Sequence, residues 1–236
     1  MEKKRVLIIS ASVGSGHVRA GQALEEACRE HPLVAEALHI DALEYSSFMF
    51  RNIYSKGYLQ AVRYVPEIWA WAFENLDKPW KKTQFGIDMQ KAHAQPLVKK
   101  IDSFAPDIII CTHFTPADIV SRLIMQDRLH ANLGIVVTDF YVHALWLTDL
   151  FTRYFVPKAE NRILLNKYGV PMDRINVSGI PIMNAFSHTS TKEELFRTYN
   201  FDPEVPIVLL SAGMFGIMPA KDILRILENI QTKCHI

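Results

Sequence analysis

The first thirty residues constrain the fold most. A strand-like run, Arg5-Val6-Leu7-Ile8-Ile9-Ser10, leads into Ala11-Ser12-Val13-Gly14-Ser15-Gly16-His17, and helical spacing follows from Val18 to about Glu30. Strand, glycine-bearing turn and helix form the repeating unit of open α/β sheets, which present ligands at the carboxyl ends of their strands. Glycine lets a backbone come close to a ligand, and histidine exchanges protons near neutral pH. The turn therefore points to a catalytic crevice. It does not complete a dinucleotide fingerprint, because Arg19 stands where the third glycine is needed, and His17 stands where a P-loop has lysine. The simpler alternative is an ordinary tight turn with a solvated His17.

The same alternation recurs. Val34 to Leu43 reads as a second strand, and Ser46 or Ser47 can cap a helix running to about Val62. Thr83 to Phe104 has helical spacing that Pro96 should kink or split. Ile108-Ile109-Ile110-Cys111 and Gly134 to Val137 are short apolar runs of the kind buried in parallel sheets. Thr115-Pro116 opens a helix between them, since proline is tolerated in a first turn. Tyr154-Phe155-Val156 and Ile175-Asn176-Val177 read as strands around a helix from Lys158 to Tyr168 closed by Gly169. The expected architecture is a Rossmann-like, doubly wound parallel α/β sheet over residues 1–180. A connector follows over 181–200, with a short capped helix from Thr191 to Tyr199. A second βα sequence occupies 201–236, with Pro206 to Leu210 as a buried strand and a helix from about Pro219 to Lys233. One strand and one helix cannot cover a sheet face alone, so we expect this second domain to be cut short.

Composition narrows the function. Lys and Arg number 26 against 25 Asp and Glu, a net charge of +1, so nothing global argues for nucleic acid. Three widely spaced cysteines, Cys28, Cys111 and Cys234, make neither a disulfide framework nor a metal-type pair, which suits a reducing cytoplasm. No apolar run approaches the roughly 20 residues of a spanning helix, so membrane contact is expected to be peripheral. A surface for such contact suggests itself between Tyr45 and Phe85, which hold eleven aromatic residues, three of the four tryptophans among them, interleaved with Arg51, Lys56, Arg63, Lys78, Lys81 and Lys82. Tryptophan favours the bilayer interface and basic groups favour anionic headgroups, so Trp69 and Trp71 are candidate membrane residues. An insertion packed on the core is the alternative.

A second candidate site follows the run 134–137: Thr138-Asp139-Phe140-Tyr141-Val142-His143-Ala144-Leu145-Trp146. Asp139 and His143 can share a proton network, and Trp146 offers an apolar surface to a lipid or a ring. Alternatively Asp139 caps a helix and the others pack the loop. His113 stands at the same sheet edge, as a further candidate or as a structural hydrogen-bonding group. His17, His113, Asp139 and His143 are of types that bind zinc or iron, but no short His-x-His pair supports a metallohydrolase, and no Gly-x-Ser-x-Gly elbow supports a serine hydrolase.

Ser-Val-Gly-Ser-Gly-His at 12–17, the aromatic-basic segment, Val-Thr-Asp-Phe-Tyr-Val-His-Ala-Leu-Trp at 137–146, Gly-Ile-Pro-Ile at 179–182 and Leu-Leu-Ser-Ala-Gly-Met-Phe-Gly at 209–216 occur in that order. Together they resemble the monogalactosyldiacylglycerol synthase and processive diacylglycerol glucosyltransferase family. The resemblance implies a GT-B glycosyltransferase that moves a hexose from UDP-glucose or UDP-galactose to diacylglycerol, with inversion and with no metal or other cofactor. It implies an amino domain that binds the acceptor and anionic membrane lipids, working on the cytoplasmic face of the membrane. It places the base on His17, with Asp139 at the catalytic centre and His143 ordering the acceptor pocket. Trp146 falls on a lipid-contacting tryptophan. Gly14 and Gly16 would approach the sugar phosphate, and Gly213 and Gly216 match a donor loop, where Ser211-Ala212 departs from the family's richer glycine. The family's later segment that grips uracil and ribose is absent from residues 1–236, so this chain is expected to be the acceptor domain with the start of the donor domain. A different lipid acceptor, or a non-catalytic lipid-surface module, are the rival readings.

Overall fold

The computed structural model describes residues 2–46, 94–187, 190–211, 219–229 and 231–236. Chain packing divides it into two compact units, Met1–Asn184 and Ala185–Ile236. The first is built on six strands: β1 (Lys4–Ser10), β2 (Val34–Asp41), β3 (Ile108–Cys111), β4 (Asn132–Val136), β5 (Arg153–Val156) and β6 (Ile175–Val177). They lie in the order β2-β1-β3-β4-β5-β6, and every pairing is parallel. The strands expected over residues 1–180 are all present, each within two residues of its expected bounds.

The order explains where a site can form. From β1 the chain crosses through helix α1 (Ser15–Glu30) to β2 on one side, whereas β3 lies on the other side of β1. Connections leaving neighbouring strands in opposite directions open a crevice at the carboxyl edge, here between β1 and β3.

The period-2 pattern of β1 serves both faces of the sheet. Val6 and Ile8 pack with Ala37 and the half-buried Leu24 and Cys28 of α1. Leu7 and Ile9 join the larger core, which takes in helices α2 (Gln95–Phe104), α3 (Phe114–Met125) and α4 (Ala159–Lys167) through Leu97, Ile101, Val120, Leu123 and Leu165. Each such side chain, once buried, contributes roughly 1.5–3 kcal/mol. At Gly21, α1 comes so close to β2 that a Cβ would stand 2.5 Å from Nε2 of His39. Pro96 lies in the first turn of α2, where its missing N–H costs nothing. Gly169, at φ +95°, follows the C-cap of α4 in a conformation that suits glycine.

In the second unit, α5 (Lys192–Thr198) is closed by the capping box of Thr191 and Glu194. The expected buried strand at 206–210 is corrected. It is reduced to a single bridge between Ile207 and His235, with Leu209 89% exposed. A run is buried as a strand only when neighbours cover it, and this one pairs with a single residue. Helix α6 (Ala220–Glu228) is shorter than expected at its carboxyl end. The expected helix from Ser46 or Ser47 and the stretch 83–93 fall outside the described residues.

Candidate active site

The candidate side chains of the first unit meet at the carboxyl edge of β1, β3 and β4. His17 lies in the first turn of α1, Thr112 and His113 follow β3, and Thr138, Asp139, His143 and Trp146 belong to the loop after β4. The rings of His17 and His113 meet edge to face at 4.7 Å, and Trp146 lies 6.3 Å from the first and 6.4 Å from the second.

His17 is tied at both ends. The Thr112 hydroxyl donates to the His17 carbonyl at 2.8 Å. The ring's Nδ1 is 2.9 Å from the Thr112 carbonyl oxygen and 2.6 Å from the Thr138 hydroxyl. A carbonyl only accepts, so Nδ1 carries the ring hydrogen and Nε2 keeps its lone pair. Burial holds the imidazole below its ordinary pKa, offset in part by the charge of Asp139 and by the bond to Thr112. Neutral at pH 7, His17 therefore offers a base at Nε2.

The other two histidines have the opposite tautomer. His113, 2% exposed, caps α3 by accepting the Thr115 N–H on Nδ1 at 3.1 Å. His143, 3% exposed, caps the short turn Ala144–Trp146 by accepting the Leu145 N–H on Nδ1 at 3.1 Å. An Nδ1 that accepts leaves the neutral ring's hydrogen on Nε2. Burial, with the nearby His17 adding to it, holds His113 well below the ordinary range. Of the three, only His17 is arranged to take a proton.

Asp139 does not cap a helix. Its Oδ2 accepts the indole N–H of Trp146 at 2.8 Å. Trp146 itself is fully buried. It packs edge to face on Phe114, and Tyr154 donates to its carbonyl at 2.8 Å. Burial pushes the Tyr154 phenol up to about 12, so that donor stays protonated. The loop's accessible aromatics are Phe140 and Tyr141, 68% and 53% exposed. Asn161 donates to the Phe140 carbonyl at 3.0 Å, and the Lys158 ammonium lies 5.0 Å above the Phe140 ring.

The glycine turn is open. Gly14 is the N-cap of α1, with no side-chain cap, and the first turn carries no acidic residue. Among the described residues a Cβ on Gly16 would meet nothing within 4 Å, so they leave space at the positive end of the helix. Asp41 steadies the turn, accepting the Ser12 N–H at 3.1 Å and the Leu43 N–H at 3.0 Å. Among the described residues no group of three or more His, Cys, Asp or Glu side chains is placed to hold a metal ion, and no helix is long and apolar enough to cross a membrane. Trp69, Trp71, Gly213 and Gly216 lie outside the described residues.

The family model for monogalactosyldiacylglycerol (MGDG) synthase matches residues 17–182. The chain belongs to the MGDG synthase family. The match begins on His17 and takes in Asp139, His143 and Trp146. Two relatives are processive diacylglycerol β-glucosyltransferases. That of Staphylococcus epidermidis is 28% identical, aligned over 98% of this chain and 58% of its own length. That of Staphylococcus aureus is 27% identical, over 94% of this chain and 55% of its own. The chain thus spans little more than half the length of these relatives. Among solved structures, S. aureus MnaA with UDP superposes with a TM-score of 0.53 at 12% identity, covering 98% of this chain and 61% of that one. That likeness supports the Rossmann-like α/β fold.

Thr112 and Tyr154 are members of this candidate site with no mark in the sequence motifs, and Thr138, although within the 138–146 motif, carries no assigned role there. Thr112 and Thr138 follow directly on the apolar runs of β3 and β4, and that position at the carboxyl edge was the available signal.

Proposed function

We propose that the protein is an inverting glycosyltransferase that moves a hexose from a UDP-sugar to diacylglycerol, with His17 as the general base. The observation that carries this reading is the tautomer contrast at the sheet edge. His113 and His143 spend Nδ1 on capping backbone N–H groups, whereas His17 keeps Nε2 basic beside an open helix terminus. The names of the family model and of the two relatives supply the acceptor class.

The chemistry balances at that position. The acceptor hydroxyl oxygen forms a bond to the anomeric carbon. The bond from that carbon to the diphosphate oxygen breaks, and its electron pair leaves with UDP. The hydroxyl proton goes to Nε2 of His17. The resulting imidazolium is stabilised by the Asp139 charge, which Trp146 orients. Gly14 and Gly16 give a sugar phosphate room at the amino end of α1, whose dipole favours an anion.

Residues 1–180 are read as the acceptor domain, 181–200 as a linker, and 201–236, with Gly213 and Gly216, as the first part of the donor domain. The protein would work peripherally on the cytoplasmic face of an anionic membrane. Phe140 and Tyr141, with Lys158, offer the exposed apolar and cationic rim beside the base, and Trp69 and Trp71 would add to the membrane face.

The test is transfer of labelled hexose from UDP-glucose or UDP-galactose into diacylglycerol vesicles by the full-length protein. A β-linked lipid product from one of these α-linked donors is expected, and the preferred donor assigns the sugar. No label in the lipid phase with either donor, or an α-linked product, would overturn the reading.

A further inference from the structure

Two oxygens face the inner nitrogen of His17, and they are not equivalent. The Thr112 carbonyl, 2.9 Å away, can only accept. The Thr138 hydroxyl, at 2.6 Å, can accept a hydrogen from Nδ1 or supply one to it. The neighbours narrow the choice. The Thr112 carbonyl calls for a hydrogen on Nδ1, and the Thr138 hydroxyl then serves as a second acceptor of the same N–H. Thr138 is the first residue of the loop after β4, which is held at Val137 by a backbone bond to the Phe155 carbonyl at 2.9 Å. Its hydroxyl is therefore placed by the sheet itself.

We propose that Thr138 is a positioning residue, whose hydroxyl completes a two-oxygen seat for the Nδ1–H of His17 and thereby keeps Nε2 turned towards the acceptor. The proposal rests on the reading of His17 as the base. The seat acts in two ways. In the resting enzyme it fixes ring orientation at the carboxyl edge of β1, β3 and β4, since the two oxygens come from the loops after two different strands. During transfer it stabilises the charged ring, because both oxygens accept from the Nδ1–H of the imidazolium. Two other influences bear on the same charge. Asp139 favours it, whereas burial of the ring opposes it.

Valine at 138 keeps the shape and removes the oxygen. Thr138→Val is expected to leave KM for the donor within about twofold and to lower kcat about tenfold or more, the usual reach of general-base assistance being 10²–10⁴-fold. The acid limb of the pH–rate profile should move to lower pH, because the charged ring has lost an acceptor. Thr138→Ser should restore both. Nitrogen-15 spectra of labelled histidine read the ring directly and without turnover: wild type and Thr138→Ser should show His17 with hydrogen on Nδ1, and Thr138→Val should lower the pKa of the same ring. Identical His17 titration in wild type and Thr138→Val would overturn the proposal, even where His17→Ala abolishes transfer. An altered titration together with full activity of His17→Ala would instead leave the Thr138 seat standing and overturn the assignment of His17 as base.

Discussion

Two aromatic side chains of the loop after β4 meet opposite fates. Trp146 is 0% exposed and Phe140 is 68% exposed. The difference lies in what the backbone around each is tied to. Around Trp146, the Tyr154 hydroxyl takes the carbonyl, Asp139 takes the indole N–H, and His143 caps the turn. At Phe140, Asn161 holds the carbonyl, and the ring lies beneath the Lys158 ammonium in the open. The inner half of the loop is thus a scaffold beside His17, and the outer half is a rim. Residue type alone does not separate the two, because a tryptophan with a satisfied N–H is as much at home in a core as at an interface.

The comparison can be broken from the inside first. Trp146→Ala should cost about 3–5 kcal/mol of stability, the usual range for a deleted core aromatic, read as a fall in the denaturant midpoint. It also removes the floor beneath His17 and the donor to Asp139. A loss below about 1 kcal/mol would mean that the indole is not the keystone described here.

Acid should act next. His17, His39 and His113 are all held below the ordinary histidine pKa by burial. Below about pH 6.5 the unfolded chain takes up protons that the folded chain refuses, so stability is fully present above that pH and is lost as the pH falls through it. Thermal melts between pH 7.5 and 5 should show the decline. His113→Asn keeps a capping side chain at the start of α3 and removes the titrating group, so its decline should be shallower. An unchanged slope would remove His113 from this role.

The outer half should respond least. Phe140→Ala with Tyr141→Ala should shift stability by no more than about 0.5 kcal/mol, as expected for exposed positions, while weakening sedimentation with anionic diacylglycerol vesicles. Undiminished vesicle binding would return these two side chains to a role in solution.

The sheet was legible because most strands of the first unit announce themselves by apolar runs or alternation, and the crossovers through α1, α3 and α4 by helical spacing. Ile108 to Cys111 and Ile175 to Val177 needed no tertiary knowledge. The run at 206–210 looks similar in sequence, yet Leu209 is 89% exposed, because burial is conferred by neighbours and not by the run. His17 could be picked out from its place after a strand and two glycines. The partition of roles among the three histidines could not, since a tautomer is set by bonds to Thr112, Thr115 and Leu145 that only the folded chain supplies. The burial of Trp146 was not legible for the same reason. Its partner Tyr154 sits on the next strand.

The measurement that bears most directly on the central claim is single-turnover transfer by full-length wild type and by His17→Ala, on saturating UDP-sugar and diacylglycerol vesicles. The account predicts a fall in the transfer rate of about 10²-fold or more, with donor binding largely retained, as expected when a general base is deleted. A variant that transfers at nearly the wild-type rate would show that the proton leaves by another route, and that His17 is not the base.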